Sequence, residues 1–252
     1  MPSAVESLKN AILGRYPIIY VLTWEENRAL QLLKGFCSKL FGPEHPVHVW
    51  TCISGFAKNG ALPEAREPLQ ALQTIQGTSE KGFFILKDFP DFFSDSFILR
   101  AVRDTYSALQ NKDKFVFFLS PQLKIPESLR KEVLLVDLGL PDEEEVLQHV
   151  KRIQQQFPQI TLAPEVQNQI VFALKGFTLN EIQHTLNRIF RSKKIDQADV
   201  LKEIFTEKEM MIKKTGYLEF VPPTHDMSQI GGLDNLKDWA TRREKLFSKE
   251  AL

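Results

Sequence analysis

The sequence predicts an α/β fold, in which a five-stranded parallel sheet carries helices on both faces and is followed by a small subdomain made of helices alone. Two observations lead to this prediction. Short apolar runs alternate with amphipathic helical segments as far as about residue 140, and beyond that point only the helical periodicity continues. Because strand–helix–strand crossovers are almost always right-handed, such alternation is typical of parallel strands with helices packed on both faces.

The first strand is predicted at Ile18–Leu22, where apolar and aromatic residues follow one another without a polar interruption. Continuous runs of this kind are typical of central strands that are buried on both faces. A helix is predicted to begin directly afterwards, because Thr23 can cap its first turn and Glu26 can complete a capping box. We expect this helix to end at Gly42 and to have one apolar face, formed by Leu30, Leu33, Cys37 and Leu40.

The same alternation continues through four more strands. Apolar runs predict strands at residues 47–52, 83–86, 115–119 and 133–136. Helical periodicity predicts helices at residues 68–75 and 98–109 and a short helical turn at 126–131. The α/β domain is therefore expected to span residues 1–140.

The rest of the chain divides into a helical part and a tail. Residues 141–213 are expected to form a helical subdomain with helices at 143–157, 164–174, 178–191 and 196–213. Residues 214–252 begin with a linker around Pro222 and Pro223. They continue into an amphipathic segment that has little core of its own to cover, so we expect it to be loosely docked, with exposed apolar side chains at Leu233, Leu236, Trp239 and Leu246.

Composition excludes several classes of function. The 32 basic and 32 acidic residues balance, so the chain has no basic excess for nucleic acid or an anionic membrane. Cys37 and Cys52 form no metal or redox motif and fit a reducing compartment. The five histidines lie at no metal-ligand spacing, and no metal site is expected. No signal peptide or membrane-spanning run is recognisable, which predicts a cytoplasmic location.

The loop after the first strand is where an open α/β sheet would bind a phosphate. In this chain it contains neither a glycine, which would let the backbone approach a phosphate, nor a lysine to pair with its charge. Glu25 and Glu26 stand there instead and are expected to repel a triphosphate. We therefore expect that this chain does not hydrolyse nucleotide itself.

Three further residues stand at positions that matter in nucleotide hydrolases. Asp88 ends an apolar strand in the form of a Walker B segment, but Phe89 follows it where a water-activating acid is needed, and a strand-terminal turn residue is the alternative. Ser120 either faces a γ-phosphate position or forms a Ser-Pro turn. Arg130 is either an arginine finger for a neighbouring subunit or a solvated side chain.

The order of these features resembles an AAA-type ATPase module. The resemblance rests on the buried first strand, Asp88, Ser120, and the segment 138–144 that leads into a helical lid. Residues 173–182 are similar to the segment where AAA lids pass from one helix to the next. Because the Walker A loop is missing, the resemblance implies a degenerate P-loop domain followed by a lid at residues 141–213.

The tail resembles the entry into a second, true AAA domain. Phe220-Val221-Pro222-Pro223 precedes Ile230-Gly231-Gly232-Leu233, and in the AAA family an Ile-Gly-Gly segment lies beside the adenine. The resemblance therefore implies that Ile230, Gly231 and Gly232 belong to the adenine side of a downstream domain, of which residues 214–252 are the truncated start. ATP and Mg²⁺ would bind that domain, and no cofactor is expected in this chain.

Thr23-Trp24-Glu25-Glu26 and the tail together resemble the AAA-type ATPases that plastids and cyanobacteria encode as a hypothetical reading frame. The chain is then expected to be the non-catalytic N-terminal module of such an ATPase, serving assembly or regulation in the cytoplasm or plastid stroma. Its expected partners are itself or the downstream AAA domain, in a ring oligomer, without nucleic acid or membrane. Two alternatives stay open: a stand-alone binding adaptor, and a nucleotide-binding enzyme whose phosphate loop lies around residues 55–60 with Lys58.

Overall fold

The computed structural model describes residues 3–56, 62, 64–158, 160, 162–191, 197–214 and 231–244. The chain divides into two compact units, Met1–Val200 and Leu201–Leu252. The first contains the sheet and most of the helices, and each unit is described by itself. None of the described helices is both long and apolar enough to cross a membrane.

The sheet of the first unit has six strands. They are β1 (Ile18–Leu22), β2 (Val47–Thr51), β3 (Gly55–Phe56), β4 (Gly82–Lys87), β5 (Lys114–Ser120) and β6 (Leu134–Asp137). Their order is β3-β2-β4-β5-β1-β6, and every pairing is parallel except that of β2 with β3. The predicted α/β class is confirmed, and the five predicted strands are all present. The sixth, β3, contains only two residues and leaves no periodic signal in the sequence.

Helices cover both faces of the sheet. They are α1 (Ala4–Leu13), α2 (Glu26–Phe41), α3 (Pro68–Gly77) and α4 (Ser96–Leu109), with short 3₁₀ turns at Phe89–Phe92 and Glu127–Leu129. Residues of β1 alternate between the two sides: Ile18 and Tyr20 pack in the core cluster that includes α3 and α4, whereas Ile19 and Val21 pack in the cluster that includes α1 and α2. Sequence analysis missed α1, although Leu8, Ala11 and Ile12 form a buried apolar face and Ser3 caps the helix by accepting the amide of Glu6.

The strand register places three strand ends at one edge of the sheet. Leu22, the last residue of β1, is paired with Ser120 of β5 on one side and with Asp137 of β6 on the other. The ladder continues beyond the strands, because the amide of Thr23 donates to the Ser120 carbonyl and that of Leu138 donates to the Leu22 carbonyl. The loops after β1, β5 and β6 therefore begin side by side.

Four helices follow the sheet, as predicted. They are α5 (Glu143–Gln155), α6 (Pro164–Ala173), α7 (Leu179–Arg191) and α8 (Gln197–Lys214), and the division between the two units falls within α8. The start of α5 is a complete capping box between Asp142 and Glu145. In the second unit, α9 (Asp234–Glu244) carries Leu236 and Trp239 of the predicted apolar side chains, and Leu233 comes directly before it. All three side chains are more than half exposed.

Candidate functional site

The loop after β1 turns its side chains alternately inward and outward. Thr23 and Glu25 are buried, whereas the Trp24 side chain between them is 75% exposed. The Thr23 hydroxyl accepts a hydrogen bond from the Glu25 amide at 3.0 Å. This short turn fills the place where a phosphate loop would stand, and it directs a carboxylate toward the interior of the protein.

The predicted capping box between Thr23 and Glu26 is wrong. Helix α2 begins at Glu26, its N-cap residue is Glu25, and no side chain caps it. The Thr23 oxygen is already used two residues later, and the Glu26 carboxylate forms an ion pair with Lys87 at the end of β4. The apolar face of α2 is also shifted, since Ala29, Leu33 and Cys37 are buried and Leu40 is 44% exposed.

Glu25 is an acid held almost completely out of solvent. Its side chain is 4% exposed, and its two oxygens have different donors. Oε2 lies 3.1 Å from Nη1 of Arg28, one turn further along α2. Oε1 accepts a hydrogen bond from the backbone amide of Leu179, the first residue of α7. Glu25 therefore connects the loop after β1 directly to the helical region that follows the sheet.

Arg28 joins the remaining parts of this site. Its side chain is 5% exposed, and Nε and Nη2 donate to the two carboxylate oxygens of Glu145 at 3.0 and 2.6 Å. Nη1 also donates to the carbonyl of Gly139 at 2.8 Å. A bidentate guanidinium–carboxylate pair of this kind is the strongest and most directional form of ion pair in proteins. We name Glu25, Arg28, Glu145 and the Leu179 amide the core–helix network.

Charge in the core–helix network is negative overall, because one guanidinium faces two carboxylates. Burial raises the pKa of Glu25, while the Leu179 amide and the Arg28 guanidinium act in the opposite direction. Nearby Glu145 adds to the rise. The carboxylate of Glu25 thus depends on its two donors for its stability in this position.

Sequence analysis identified neither Arg28 nor Glu145 as a site residue. The reason is distance along the chain, since the two residues are 117 positions apart. Arg28 precedes the buried residue Ala29 in α2, and sequence periodicity alone assigns an arginine to the solvent side of such a helix. No local pattern in the sequence marks the pair.

Two clefts flank the core–helix network. One has a volume of about 230 Å³ and is lined by Thr23, Trp24 and Glu25 together with Asp137 and Leu140. The other has a volume of about 180 Å³, and its lining includes Arg28, Glu145 and Leu179. Both are below the range of roughly 300–1,000 Å³ that is usual for pockets that bind small molecules. The contacts of Glu25 with Arg28 and Leu179 lie between the two clefts.

Asp88 lies at the end of β4, in a turn, and lines neither cleft. Its backbone is left-handed, with φ 53°, and its amide donates to the Leu119 carbonyl. Asp88 is an exposed residue, but partial desolvation of its carboxyl group raises its pKa, and the nearby carboxylates of Glu26 and Asp91 add to the rise. The next residue, Phe89, is fully buried and stacks on Phe118 at 5.1 Å. The position after Asp88 therefore belongs to the core. The assignment of Asp88 as a vestigial Walker B residue stays a prediction.

The surroundings of Ser120 and Arg130 agree with the simpler of the roles considered for them. The buried Ser120 hydroxyl accepts a hydrogen bond from the Gln122 amide at 3.3 Å, which is the turn arrangement. The Arg130 side chain is 64% exposed and pairs with Glu127, three residues before it. Neither side chain lines one of the two clefts.

Several other sequence-based predictions fall partly outside the described residues. Lys58 and residues 57–61 lie outside them, so the alternative phosphate loop is not described beyond Gly55 and Phe56. Ile230 and Leu246 also lie outside, whereas Gly231 and Gly232 come directly before α9, with Gly232 at φ 71°. Among the described residues, no three acidic, histidine or cysteine side chains are grouped as metal ligands. The thiols of Cys37 and Cys52 are both free.

The chain is similar to the members of one protein family over most of its length. The model of the SpoVK-like AAA ATPase N-terminal domain matches residues 4–138, and that of the second domain of the same family matches residues 143–215. The AAA domain-containing protein ycf46 of Guillardia theta is 32% identical over 99% of this chain and 49% of its own length. The chain spans about half the length of the relatives that it matches.

Solved structures agree with the fold. The FIGL-1 AAA domain in complex with ADP superimposes with a TM-score of 0.52 at 12% identity, over 92% of this chain and 78% of that one. Domain III of the Thermotoga maritima replication initiation protein DnaA gives 0.52 at 16% identity, over 83% and 91%. Because two consecutive domain models of one family cover most of the sequence, this chain belongs to the SpoVK-like AAA ATPase family.

Proposed function

We propose that this chain is a non-catalytic N-terminal module of an AAA-type ATPase, which serves assembly or regulation, while ATP and Mg²⁺ bind a downstream domain outside residues 1–252. One observation carries the proposal. The core–helix network occupies the end of β1, where an ATPase of this fold class would hold the phosphates of its nucleotide.

Charge supports the proposal. Phosphate sites in such folds use backbone amides, a lysine and a helix terminus to offset negative charge. In this chain the amino terminus of α7 and Arg28 already contact carboxylates, and the network has one negative charge in excess. A triphosphate at this position would meet repulsion from Glu25 and Glu145 in a partly desolvated site, where Coulomb energies are larger than in water.

Shape supports the proposal as well. Each of the two clefts is smaller than the roughly 300–1,000 Å³ that is usual for small-molecule pockets, and Glu25 lines the one of about 230 Å³. The carboxylate of Asp88 lines neither cleft, and Phe89 provides no base beside it. Activation of water for hydrolysis would require such a base within hydrogen-bonding reach.

The core–helix network also explains how the module can have a defined shape without nucleotide. Arg28 and Glu25 join α2, the loop after β1, α5 and α7 through hydrogen bonds of protein groups alone. A rigid module of this kind is suited to present a constant surface to the downstream domain or to another copy of the chain. Those two are the partners that we propose.

Isothermal titration tests the absence of a nucleotide site. The chain is titrated with Mg²⁺–ATP and Mg²⁺–ADP, and the FIGL-1 AAA domain, which has been solved with ADP, is the positive control. We expect no binding heat from this chain under conditions in which the control binds. Micromolar affinity would contradict the proposal and would favour the alternative phosphate loop around residues 55–60.

Analytical ultracentrifugation tests the role in assembly. The chain is sedimented alone and together with the second half of its parent ATPase, produced as a separate polypeptide. We expect a complex in at least one of the two experiments. The same complex should form with and without nucleotide. If the chain neither associates with itself nor binds that second half, the assembly role is wrong.

A further inference from the structure

The Glu25 carboxylate is bound in the way that a protein binds a separate anion. One oxygen accepts the amide of Leu179 at the first position of the 13-residue helix α7, and the other faces Nη1 of Arg28. The positive end of the helix dipole and a guanidinium thus converge on a single carboxylate. Both side chains of this ion pair are at most 5% exposed.

We propose that Arg28 and the amino terminus of α7 form an oxyanion site, and that Glu25 of the same chain is its resident ligand. The site takes small carboxylates and, by the same chemistry, inorganic phosphate when Glu25 is removed. The inference rests on the site described under the proposed function. It adds that the anion-binding groups are still present there and are occupied by the carboxylate of Glu25.

The two donors do not depend on Glu25 for their positions. Arg28 is held by two hydrogen bonds to Glu145 and one to the Gly139 carbonyl, all of which remain when Glu25 is changed. The Leu179 amide is held by α7, whose start is fixed by reciprocal hydrogen bonds between Thr178 and Glu181. Removal of the Glu25 carboxylate therefore leaves a preorganised site with two unused donors.

The surroundings of Glu25 leave space for a replacement. Glu25 lines the cleft of about 230 Å³, and Arg28 and Leu179 line the cleft of about 180 Å³. The Glu25→Ala substitution removes the Cγ methylene and the carboxylate, which together have the composition of acetate. Since Glu25 itself lines the cleft of about 230 Å³, the vacated position adjoins space for an acetate ion.

In the native chain a free anion competes poorly with Glu25. A group tethered by a short linker has an effective concentration in the millimolar range or above, so acetate well below that concentration does not displace it. This explains why an intact oxyanion site would escape detection in binding experiments with the unmodified chain. The occupant must be removed before the site can be measured.

Chemical rescue tests the proposal. Thermal unfolding of Glu25→Ala is followed in sodium acetate and in sodium chloride of equal ionic strength at neutral pH. Because a ligand that binds only the folded state stabilises it by RT ln(1 + [L]/Kd), we expect Tm to rise by about 3–6 °C in acetate at ten times its Kd and to go on rising with the logarithm of the acetate concentration. The same measurement in sodium phosphate decides whether the site also accepts a tetrahedral anion.

The unmodified chain and Glu26→Ala are the controls. Glu26 is the neighbouring acid, but its partner is the Lys87 side chain. General stabilisation by excluded anions acts on all three proteins alike. An equal rise of Tm in all three, or no difference between acetate and chloride for Glu25→Ala, would overturn the proposal.

A second variant tests the helix terminus directly. Leu179→Pro removes the amide that faces Glu25, at the first helical position, where proline is tolerated. We expect acetate to rescue Glu25→Ala but not the double variant with Leu179→Pro. Rescue that survives in the double variant would show that the amide is not part of the site.

A failure of Glu25→Ala to fold does not remove the test. Far-ultraviolet circular dichroism then compares the variant in acetate and in chloride, and recovery of helical signal in acetate alone is the expected result. No recovery in either salt contradicts the proposal. The titration of the unmodified chain with Mg²⁺–ATP is independent of this result, so the oxyanion site can be wrong while the proposed function stands.

Discussion

Nη2 of Arg28 lies 2.6 Å from Oε2 of Glu145, and this contact joins α2 of the sheet domain to α5, the first helix after the sheet. Asp142, the N-cap residue of α5, donates its amide to the same Glu145 carboxylate, so the side chain that completes the capping box of α5 is also the partner of the buried arginine. The start of one helix and the buried face of another are thereby positioned by one side chain.

Arg28→Met should be strongly destabilising. The substitution removes the positive charge but leaves Glu25 buried without its ion-pair partner. Loss of one partner of a buried pair costs about 3–5 kcal/mol. Urea unfolding followed by circular dichroism measures the change in the free energy of unfolding.

Arg130→Met is the matched control for this arginine. Its side chain is 64% exposed and pairs with an exposed glutamate, so the free energy of unfolding should change by at most about 0.5 kcal/mol. Equal losses for Arg28→Met and Arg130→Met would show that the core–helix network contributes nothing particular to stability.

Lys114→Met should destabilise the end of α3. The buried ammonium group of Lys114 donates hydrogen bonds to the backbone carbonyls of Ile75 and Thr78, close to the end of that helix. A methionine fills the same space but leaves both acceptors without this donor, at a cost of about 1–3 kcal/mol. Lys112→Met, at an exposed position two residues before the start of β5, is the control, and chemical denaturation compares the two variants.

His48 should make the fold less stable in acid. It is 93% buried, its ring stacks on Phe84 at 5.0 Å, and Nε2 has no partner among the described residues. Burial lowers the pKa of His48 in the folded protein below 6.5, and Glu80 opposes this shift. The unfolded chain therefore binds a proton first, and stability falls as the pH drops below 6.5.

The effect of His48 is measured as a difference between variants. The free energy of unfolding is determined from pH 7.5 to about pH 5 for the unmodified chain, for His48→Phe and for His45→Gln, whose histidine is exposed. The loss of stability in acid should be smaller in His48→Phe than in the other two proteins. Identical pH profiles for all three would contradict the assignment.

Asp88 should tolerate asparagine better than alanine. Its left-handed backbone is favourable for aspartate and asparagine, whereas alanine pays about 1 kcal/mol or more there. Because Glu26 and Asp91 already raise the pKa of Asp88, loss of the charge in Asp88→Asn should not reduce stability. Thermal unfolding of the two variants gives the comparison. A large loss in Asp88→Asn would instead indicate a role for the carboxylate itself.

The sequence by itself determined the layered fold. Runs such as Ile18–Leu22 have no polar face, so only a position between two helical layers can bury them. The absence of glycine and lysine between Thr23 and Glu26 also excluded a conventional phosphate loop without any knowledge of tertiary structure. Both conclusions depend on residues that are adjacent in the chain.

The tertiary structure alone decided what stands in place of that loop. Thr23 was expected to cap a helix with Glu26, but Glu25 turns inward because Arg28 and the start of α7 are there to receive it. Leu179 is 154 positions away from Glu25, and Glu145 is 117 away from Arg28. Charges that distant in sequence are brought into contact only by the packing of helices on the sheet, and local patterns contain no information about such pairs.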